Sequence, residues 1–324
     1  LILSFDSIMK PPYDLTPEII KRITSISEKL GEAKAIYLNK PSPKLRKENK
    51  IKTLHSSLKI EGNTLSIDQV TGLIENKMVI GPQKDITEVL NAIKIYDNLN
   101  AYSPLSKKSF LKCHKDLMQG LMEDNGNYRK RGVGVLKGTR LEHLAPPAEN
   151  VPFLMKDLFT YLKTDEIELI KSCIFHYELE FIHPFLDGNG RMGRIWQTLI
   201  LREKYPLFEY LPLENLISNN QDAYYKALSD SDKAGNSNFF LAYMLEVMEN
   251  SIDILLNSAS RKLSETDRLE YFISLNKTTF TRKEYMSVFK VISSATASRD
   301  LKKGVELKLF SKTGDKIKTI YRIL

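Results

Sequence analysis

Twelve residues, His183-Pro184-Phe185-Leu186-Asp187-Gly188-Asn189-Gly190-Arg191-Met192-Gly193-Arg194, constrain this chain more than any other feature. Helical spacing of apolar residues runs up to Ile182 and resumes after Gly190, so two helices meet through a tight turn. Pro184 disfavours helical geometry at His183 and ends the first helix there. Asp187-Gly188-Asn189-Gly190 tolerates positive φ and leads straight into a second helix near Arg191. Successive main-chain N–H groups in such a turn form a concave anion nest, and the new helix adds the positive end of its dipole. Arg191 and Arg194 lie three residues apart, so both can face one anion. Asp187 at the rim can hold a divalent cation against phosphate oxygens. His183 is the histidine placed to exchange a proton with a group bound there. The stretch reads as a phosphate cradle with a base beside it.

The rest of the chain is built mostly from helical patterns. Thr16-Pro17-Glu18 is a helix start ahead of the stripe Ile19, Ile20, Ile23, Ile26 and Leu30. Leu45, Ile51, Leu54 and Leu58 mark a second helix that stops near Gly62-Asn63. Ser66 and Gln69 form a capping box, and Asp85 with Glu88 repeats the device before Val89, Leu90, Ile93 and Tyr96. Ser106 opens a helix to about Gln119. Residues 127–144 break the rhythm: Val133 and Val135 alternate with glycines, as in a short hairpin. Helical period returns over 150–162, 166–182, 191–204, 221–229 and 239–256.

The Pro/Gly-punctuated stretch closely resembles the signature of the Fic (Fic/Doc) family, HPFxDGNGRxxR, at all nine fixed positions. Phe175-His176-Tyr177-Glu178 and Ala223-Tyr224-Tyr225-Lys226-Ala227-Leu228 look like the family's flanking helices, and the resemblance runs from about Thr53 to Leu256. It implies transfer of AMP from ATP to a Ser, Thr or Tyr hydroxyl of a target protein, with His183 as the general base. It implies Mg²⁺ on Asp187 and a nest of Gly188, Asn189 and Gly190 for the α- and β-phosphates. Arg191 should contact the β-phosphate and Arg194 the γ-phosphate, with Met192 and Gly193 inside the nucleotide-binding stretch. Phe185 should pack in the core. Gly190, where phosphorylating relatives carry lysine, favours ATP presented by its α-phosphate. The hairpin at Val133, Gly134, Val135 and Leu136 corresponds to the family's flap, which grips a target segment by strand addition. Tyr224 falls either on the adenine or ribose or in the core.

The segment Ser57-Leu58-Lys59-Ile60-Glu61-Gly62-Asn63 resembles the family's inhibitory motif, [S/T]xxxE[G/N]. Ser57 and Glu61 share one helix face, and a carboxylate there can pair with a guanidinium. By resemblance that partner is Arg194, whose γ-phosphate contact is then lost. Family relatives also include enzymes in which the same glutamate serves AMP removal.

Charge separates the end of the chain from the remainder. From Arg261 to Leu324 there are 15 Lys/Arg against 7 Asp/Glu, so that segment carries the whole net charge of +8. Three helical patterns there (267–274, a helix capped by Thr281 with Tyr285 and Phe289 inside, and about 293–303) precede a hairpin of Leu307–Lys312 and Ile317–Ile323. That is the grammar of a winged helix-turn-helix. Its basic residues Arg299, Lys302, Lys303, Lys312, Lys316 and Lys318 suit DNA phosphates, with Ser298 and Arg299 nearest base edges; the alternative is a merely basic docking module. The expected architecture is mainly α: a helical region over 1–100 with the inhibitory motif, a catalytic core over 101–257 carrying the flap, and a winged helix domain over 265–324 after a boundary near Ser258–Ser264.

Composition narrows the setting. Apolar residues make up 42% and charged residues 27% of the 324 positions, which excludes a disordered chain or a disulfide-held miniprotein. No apolar run is long enough for a membrane span. Cys113 and Cys173 lack metal-ligand spacing and suit a reducing compartment. Leu1–Asp6 carries no secretory pattern, so a cytoplasmic location is the expectation. The partners expected are a hydroxyl-bearing protein, DNA through the terminal module, and a second copy of the chain by family analogy. Two functions compete: a self-inhibited adenylyltransferase, and a DNA-binding regulator that senses ATP without turnover.

Overall fold

Two helices buried over most of their length sit at the centre, with polar side chains among the covered ones. In this computed structural model they are α7 (Glu168–Ile182) and α8 (Asn189–Lys204). They pack along each other, burying Leu169 to Tyr177 on one and Asn189 to Leu201, save Gly190, on the other. The structure describes residues 11–37, 41–137, 140–259, 265–273, 275, 277–289, 292–314 and 319–324. Leu1–Asp6, the linker residues 260–264, the helix end at Ser274, the turn residue Lys290 and wing residues 315–318 lie outside them.

Around this pair the chain lays α1 (Pro17–Tyr37), α2 (Pro43–Ile60), α3 (Ile67–Ile74), α4 (Gln83–Asp97), α5 (Lys107–Leu117), α6 (Val151–Tyr161), α9 (Leu213–Asn219), α10 (Gln221–Ala234) and α11 (Asn238–Ala259). Helix α1 packs on α11, and Ile19, Ile26, Leu30 and Tyr37 join the same core as Phe240, Leu241 and Met244. Ile20, expected in that stripe, is exposed. Helix α2 is two-faced. Leu54 and Leu58 close a second cluster with Leu65, Val70, Leu73, Val89 and Ala92, while Ser57 faces α8. Strands β1 (Gly134–Lys137) and β2 (Arg140–Leu144) form the expected antiparallel hairpin, with Gly134 opposite Leu144 and Val133 just outside.

Several local readings are corrected. Ser66 and Gln69 do cap α3, but Asp85 and Glu88 do not cap α4. That helix begins earlier, after Pro82, and the Asp85 carboxylate instead accepts from the N–H and hydroxyl of Thr64. Helix α9 was not anticipated, because seven residues between Pro212 and Asn220 show too little periodicity.

The last segment has its own core of Leu269, Phe272, Phe280, Tyr285, Phe289, Ala297, Leu301 and Phe310. It comprises α12 (Glu265–Ile273), β3 (Thr279–Phe280), α13 (Arg282–Val288), α14 (Ser294–Glu306), β4 (Phe310–Thr313) and β5 (Ile320–Ile323). The strands form an antiparallel sheet in the order β3-β5-β4, with Phe310 opposite Ile323 and Phe280 opposite Tyr321. Strand β3 was unforeseen. Phe289 caps α13 from outside it, and Leu307 and Lys308 form a turn, Lys308 at positive φ, in place of the first strand residues. The buried Asp300 accepts from Arg268 Nε at 2.6 Å and Nη2 at 2.7 Å and from the Tyr285 hydroxyl at 3.1 Å. This ties α12, α13 and α14 together.

Candidate active site

The loop between α7 and α8 is shaped by its own residues. Pro184 stops α7, and His183 takes up a left-handed conformation, φ 48° and ψ 60°, donating its N–H to the Leu179 carbonyl. Asn189 then closes the loop: it accepts the Phe185 N–H at 2.9 Å and donates to the Phe185 carbonyl at 3.0 Å. Gly188, at φ 85°, makes the entry into α8. The first N–H groups of α8 have no carbonyl four residues earlier to bind. Following a left-handed residue, they make a nest at the positive end of the helix.

A buried layer props this loop from below. Phe185 is fully buried and stacks on His114 at 3.6 Å. His114 Nδ1 accepts the Gly126 N–H at 2.9 Å, so its Nε2 carries the proton and donates to the Asp187 carbonyl at 3.0 Å. Burial pushes the His114 pKa down to about 4, so the imidazole stays neutral in that role.

Above the loop lies a cavity of about 150 Å³ lined by Glu61, Glu180, His183, Leu186, Asp187, Gly188, Asn189, Gly190, Arg194, Tyr224 and Tyr225. Arg194 is 2% exposed. Its Nε donates to the Ser57 hydroxyl at 3.1 Å, and its Nη2 to the Ser57 carbonyl at 3.0 Å and to Glu61 Oε1 at 2.7 Å. Its remaining nitrogen, Nη1, is buried without a hydrogen bond among the described residues and stands beside Gly190. Burial alone would lower the Arg194 pKa, but the Glu61 carboxylate, with Tyr224 and Glu180 adding to it, holds the guanidinium above its usual range. A Cβ built at Gly190 would come within 2.4 Å of Glu61 Oε1. The carboxylate therefore sits directly over the first turn of α8, where the nest would receive an anion.

Arg191 behaves differently. The resemblance assigns it to the β-phosphate, yet its side chain does not line the cavity. It is 3% exposed and pairs with Glu88 Oε1 at 3.2 Å and Asp187 Oδ1 at 3.1 Å. Asn63 donates to Glu88 Oε2 at 2.8 Å, so the turn after Glu61 is tied to the same carboxylate. Met192 and Gly193 are also withdrawn from the cavity. Met192 is fully buried, and Gly193 lies where any Cβ would strike the His176 ring at 2.5 Å. The helix turns these three positions toward its packed faces.

His183 Nδ1 stands 3.4 Å from the Glu180 carbonyl. A carbonyl only accepts, so this contact is a hydrogen bond when Nδ1 carries the proton. Asp187 is half exposed at the rim, one oxygen held by Arg191 and the Gly188 N–H. Tyr224 forms part of the wall but is 2% exposed. Its hydroxyl donates inward to His176 Nε2 at 3.1 Å, because His176 Nδ1–H is committed to Gln197 Oε1 at 2.8 Å. Burial raises the Tyr224 pKa and lowers that of His176 to about 3. Only the Tyr224 ring is thus offered to a ligand.

The site thus gathers Glu61, His183, Asp187, Gly188, Asn189, Gly190, Arg194 and Tyr224 as read from the sequence. Ser57 and Gly62 serve behind them: Ser57 grips Arg194, and Gly62 turns the chain at φ 87°. Glu88, His114, Arg129, Glu180 and Tyr225 were not singled out. Glu180 and Tyr225 had a signal, since each lies within a turn of a residue that was chosen. Glu88, His114 and Arg129 are brought in only by packing. Among the described residues no cluster of three or more His, Cys, Asp or Glu side chains forms a ready-made metal site.

Comparison with known proteins agrees with this geometry. A model of the Fic/DOC family matches residues 104–201. A protein adenylyltransferase Fic from Drosophila erecta is 25% identical over 252 residues, covering 74% of this chain and 49% of that protein. One from Nematostella vectensis is 27% identical over 255 residues, covering 76% and 57%. The chain spans about half the length of the curated relatives it matches. The crystal structure of a Fic family protein from Desulfovibrio desulfuricans G20 is similar at a TM-score of 0.75 and 36% identity, covering 97% of this chain and 98% of that one.

Proposed function

This chain belongs to the Fic family, and on that premise we propose that it is a protein adenylyltransferase, moving AMP from ATP to a hydroxyl of a target protein and held back by its own Glu61. The observation that carries this reading is Arg194. It is a buried guanidinium with one spare donor beside an N–H nest, and an internal carboxylate occupies the place of an anion.

In the reaction, His183 Nε2 takes the proton of the target hydroxyl. The hydroxyl oxygen forms a bond to the α-phosphorus as the bond from that phosphorus to the bridging oxygen breaks, and pyrophosphate leaves. The nest at Gly188, Asn189 and Gly190 and the Arg194 guanidinium hold the phosphates. Arg191 acts from behind, keeping Asp187 in place through its ion pair. Asp187 suits Mg²⁺: a lone, half-exposed carboxylate fits an ion shared with substrate phosphates better than a cage of protein ligands. An ion bound there would supply charge neutralisation to the phosphates. The flap residues Val133, Gly134, Val135 and Leu136 guide the target segment by strand addition.

Inhibition follows from occupancy. With the Glu61 carboxylate over Gly190 and on Arg194, an incoming triphosphate meets a negative charge where its γ-phosphate belongs. The test is the Glu61→Gly protein with ATP and Mg²⁺, read by intact mass. The expected result is an added adenylyl group on the protein or on a lysate target. No label from α-labelled ATP on either would reject the transfer, and label from the γ-position alone would mean phosphorylation instead.

A second partner is favoured by the exposed face of α14. Ser294, Ala295, Arg299, Lys302 and Lys303 are exposed there, with Lys312 on β4. Helix, strand, helix, helix and hairpin follow in the order of a winged helix, and that module would meet DNA phosphates with these groups. Affinity for a duplex should then fall steeply with added salt; a flat salt response would remove DNA as partner. Cys113 and Cys173, buried and unpaired, support a reducing, cytoplasmic setting. No helix among the described residues is long and apolar enough to cross a membrane. A homodimer remains the family-based expectation.

A further inference from the structure

We propose that Arg129 is a positioning residue that joins the base to the target guide: one buried guanidinium fixes the end of α7 that carries His183 and both stems of the flap. The inference rests on the reading of His183 as the base. Arg129 is 2% exposed. The four hydrogen bonds described for its guanidinium all end on main-chain carbonyls. Nε donates to His183 at 2.7 Å, Nη2 to Ile182 at 3.2 Å and to Pro146 at 2.5 Å, and Nη1 to Arg131 at 3.0 Å. Its own N–H donates to the Pro184 carbonyl at 2.9 Å.

The arrangement answers a local problem. A helix leaves its last carbonyls without intrahelical donors, and Pro184 offers no N–H to cap them. His183 is also left-handed, a conformation a non-glycine residue keeps only when its surroundings hold it. Arg129, which does not line the cavity, supplies the missing donors. The same fork reaches Arg131, just before β1, and Pro146, just after β2, so the entry and exit of the flap are pinned to the carbonyl of the base residue itself. Arginine is the side chain for this, because five N–H groups in a rigid plane address several carbonyls at once. A lysine has three donors on a flexible stem and cannot span all four. Base geometry and flap position are therefore set by one group, and the flap cannot shift without loosening His183.

The test uses the full chain labelled with nitrogen-15 at histidine, as wild type, Arg129→Lys and Arg129→Met, with imidazole signals read by NMR. His183 is assigned by its loss in His183→Ala. His114 and His176 are internal controls, their tautomers set by Gly126 and Gln197. In both variants the His183 signals should move from the Nδ1–H tautomer toward an average, while His114 and His176 stay put. In a Glu61→Gly background, Arg129→Met should lower kcat for AMP transfer at least about tenfold with KM for ATP within about twofold, and Arg129→Lys should lie between. Unmoved His183 signals with unchanged kcat would overturn the proposal. So would a joint shift of all three histidines, or a loss of kcat matched by a loss of ATP affinity, since those mean general support of the fold. A silent Glu61→Gly parent with a shift confined to His183 would count against AMP transfer and leave the positioning contact standing.

Discussion

The helical body and the terminal module use charge in opposite ways. In the body, charged and polar groups are buried close to the cavity: Arg194, Arg191, Glu88, Arg129, His114 and His176 are each at most 5% exposed. In the module, the one described charge that is buried is Asp300, held by the partly covered Arg268 in a knot that binds three helices, and the other described charges are partly or fully exposed. Burying a charge is costly unless its partners are in place. The body accepts that cost where a loop must be held in one shape for an anion. The module accepts it once, for cohesion, and leaves its other described charges at least partly exposed. The difference teaches that burial, more than chemical type, separates a charge that holds a loop in one shape from a charge left at the surface.

Substitutions can break this contrast, beginning with the largest effect. His183→Ala in the Glu61→Gly background should cost about 10²- to 10⁴-fold in AMP transfer, the range of a lost general base. ATP binding by calorimetry should be retained; turnover within about twofold of the parent would remove His183 as base. In the module, Arg268→Ala should cost about 3–5 kcal/mol by leaving Asp300 buried and uncompensated. Differential scanning calorimetry should show the module melting early while the body keeps its transition; a common shift of both would mean the two regions are not separate in this respect.

Acid should sharpen the comparison further. His114 and His176 have folded pKa values of about 4 and about 3, below their unfolded value. The unfolded chain therefore binds more protons, and their contribution is full above about pH 6.5 and lost as pH falls toward the folded values. At pH 5 the loss is about 2 kcal/mol for each histidine. Burial pushes the Glu178 carboxyl up to about 7, which opposes this slope as pH falls below 7. All five histidines precede residue 261, so the histidine-linked loss between pH 6.5 and 5 should belong to the body. His176→Gln should flatten part of that slope; an unchanged slope would mean His176 is already protonated or exposed in the native protein. The smallest effect is expected at the module surface. Lys302→Ala should change stability by no more than about 0.5 kcal/mol while lowering duplex affinity and its salt slope.

Much of the site was legible because its residues are contiguous. From His183 to Arg194, spacing and turn chemistry place an imidazole, a nest and a guanidinium within reach of one another. The Ser57–Glu61 pairing was legible through its helical spacing and the family pattern. Arg191 marks the limit: three residues from Arg194 on a helix still allows two directions, and only Glu88, arriving from α4, decided which one it takes. His114 and Arg129 had no pattern around them. They matter because of carbonyls at Asp187 and His183 that sit far away along the chain.

The turn at Gly188, the cap at Ser66 and the place where α7 must stop were determined by the sequence alone, since proline, glycine and capping side chains act on their immediate neighbours. Which buried group answers which unsatisfied donor or carbonyl was decided only by the tertiary structure. Hydrogen-bond accounting in a packed interior closes between residues 137 positions apart, as Ser57 and Arg194 are, or 218, as Tyr37 and Leu255 are, and nothing local encodes that partner.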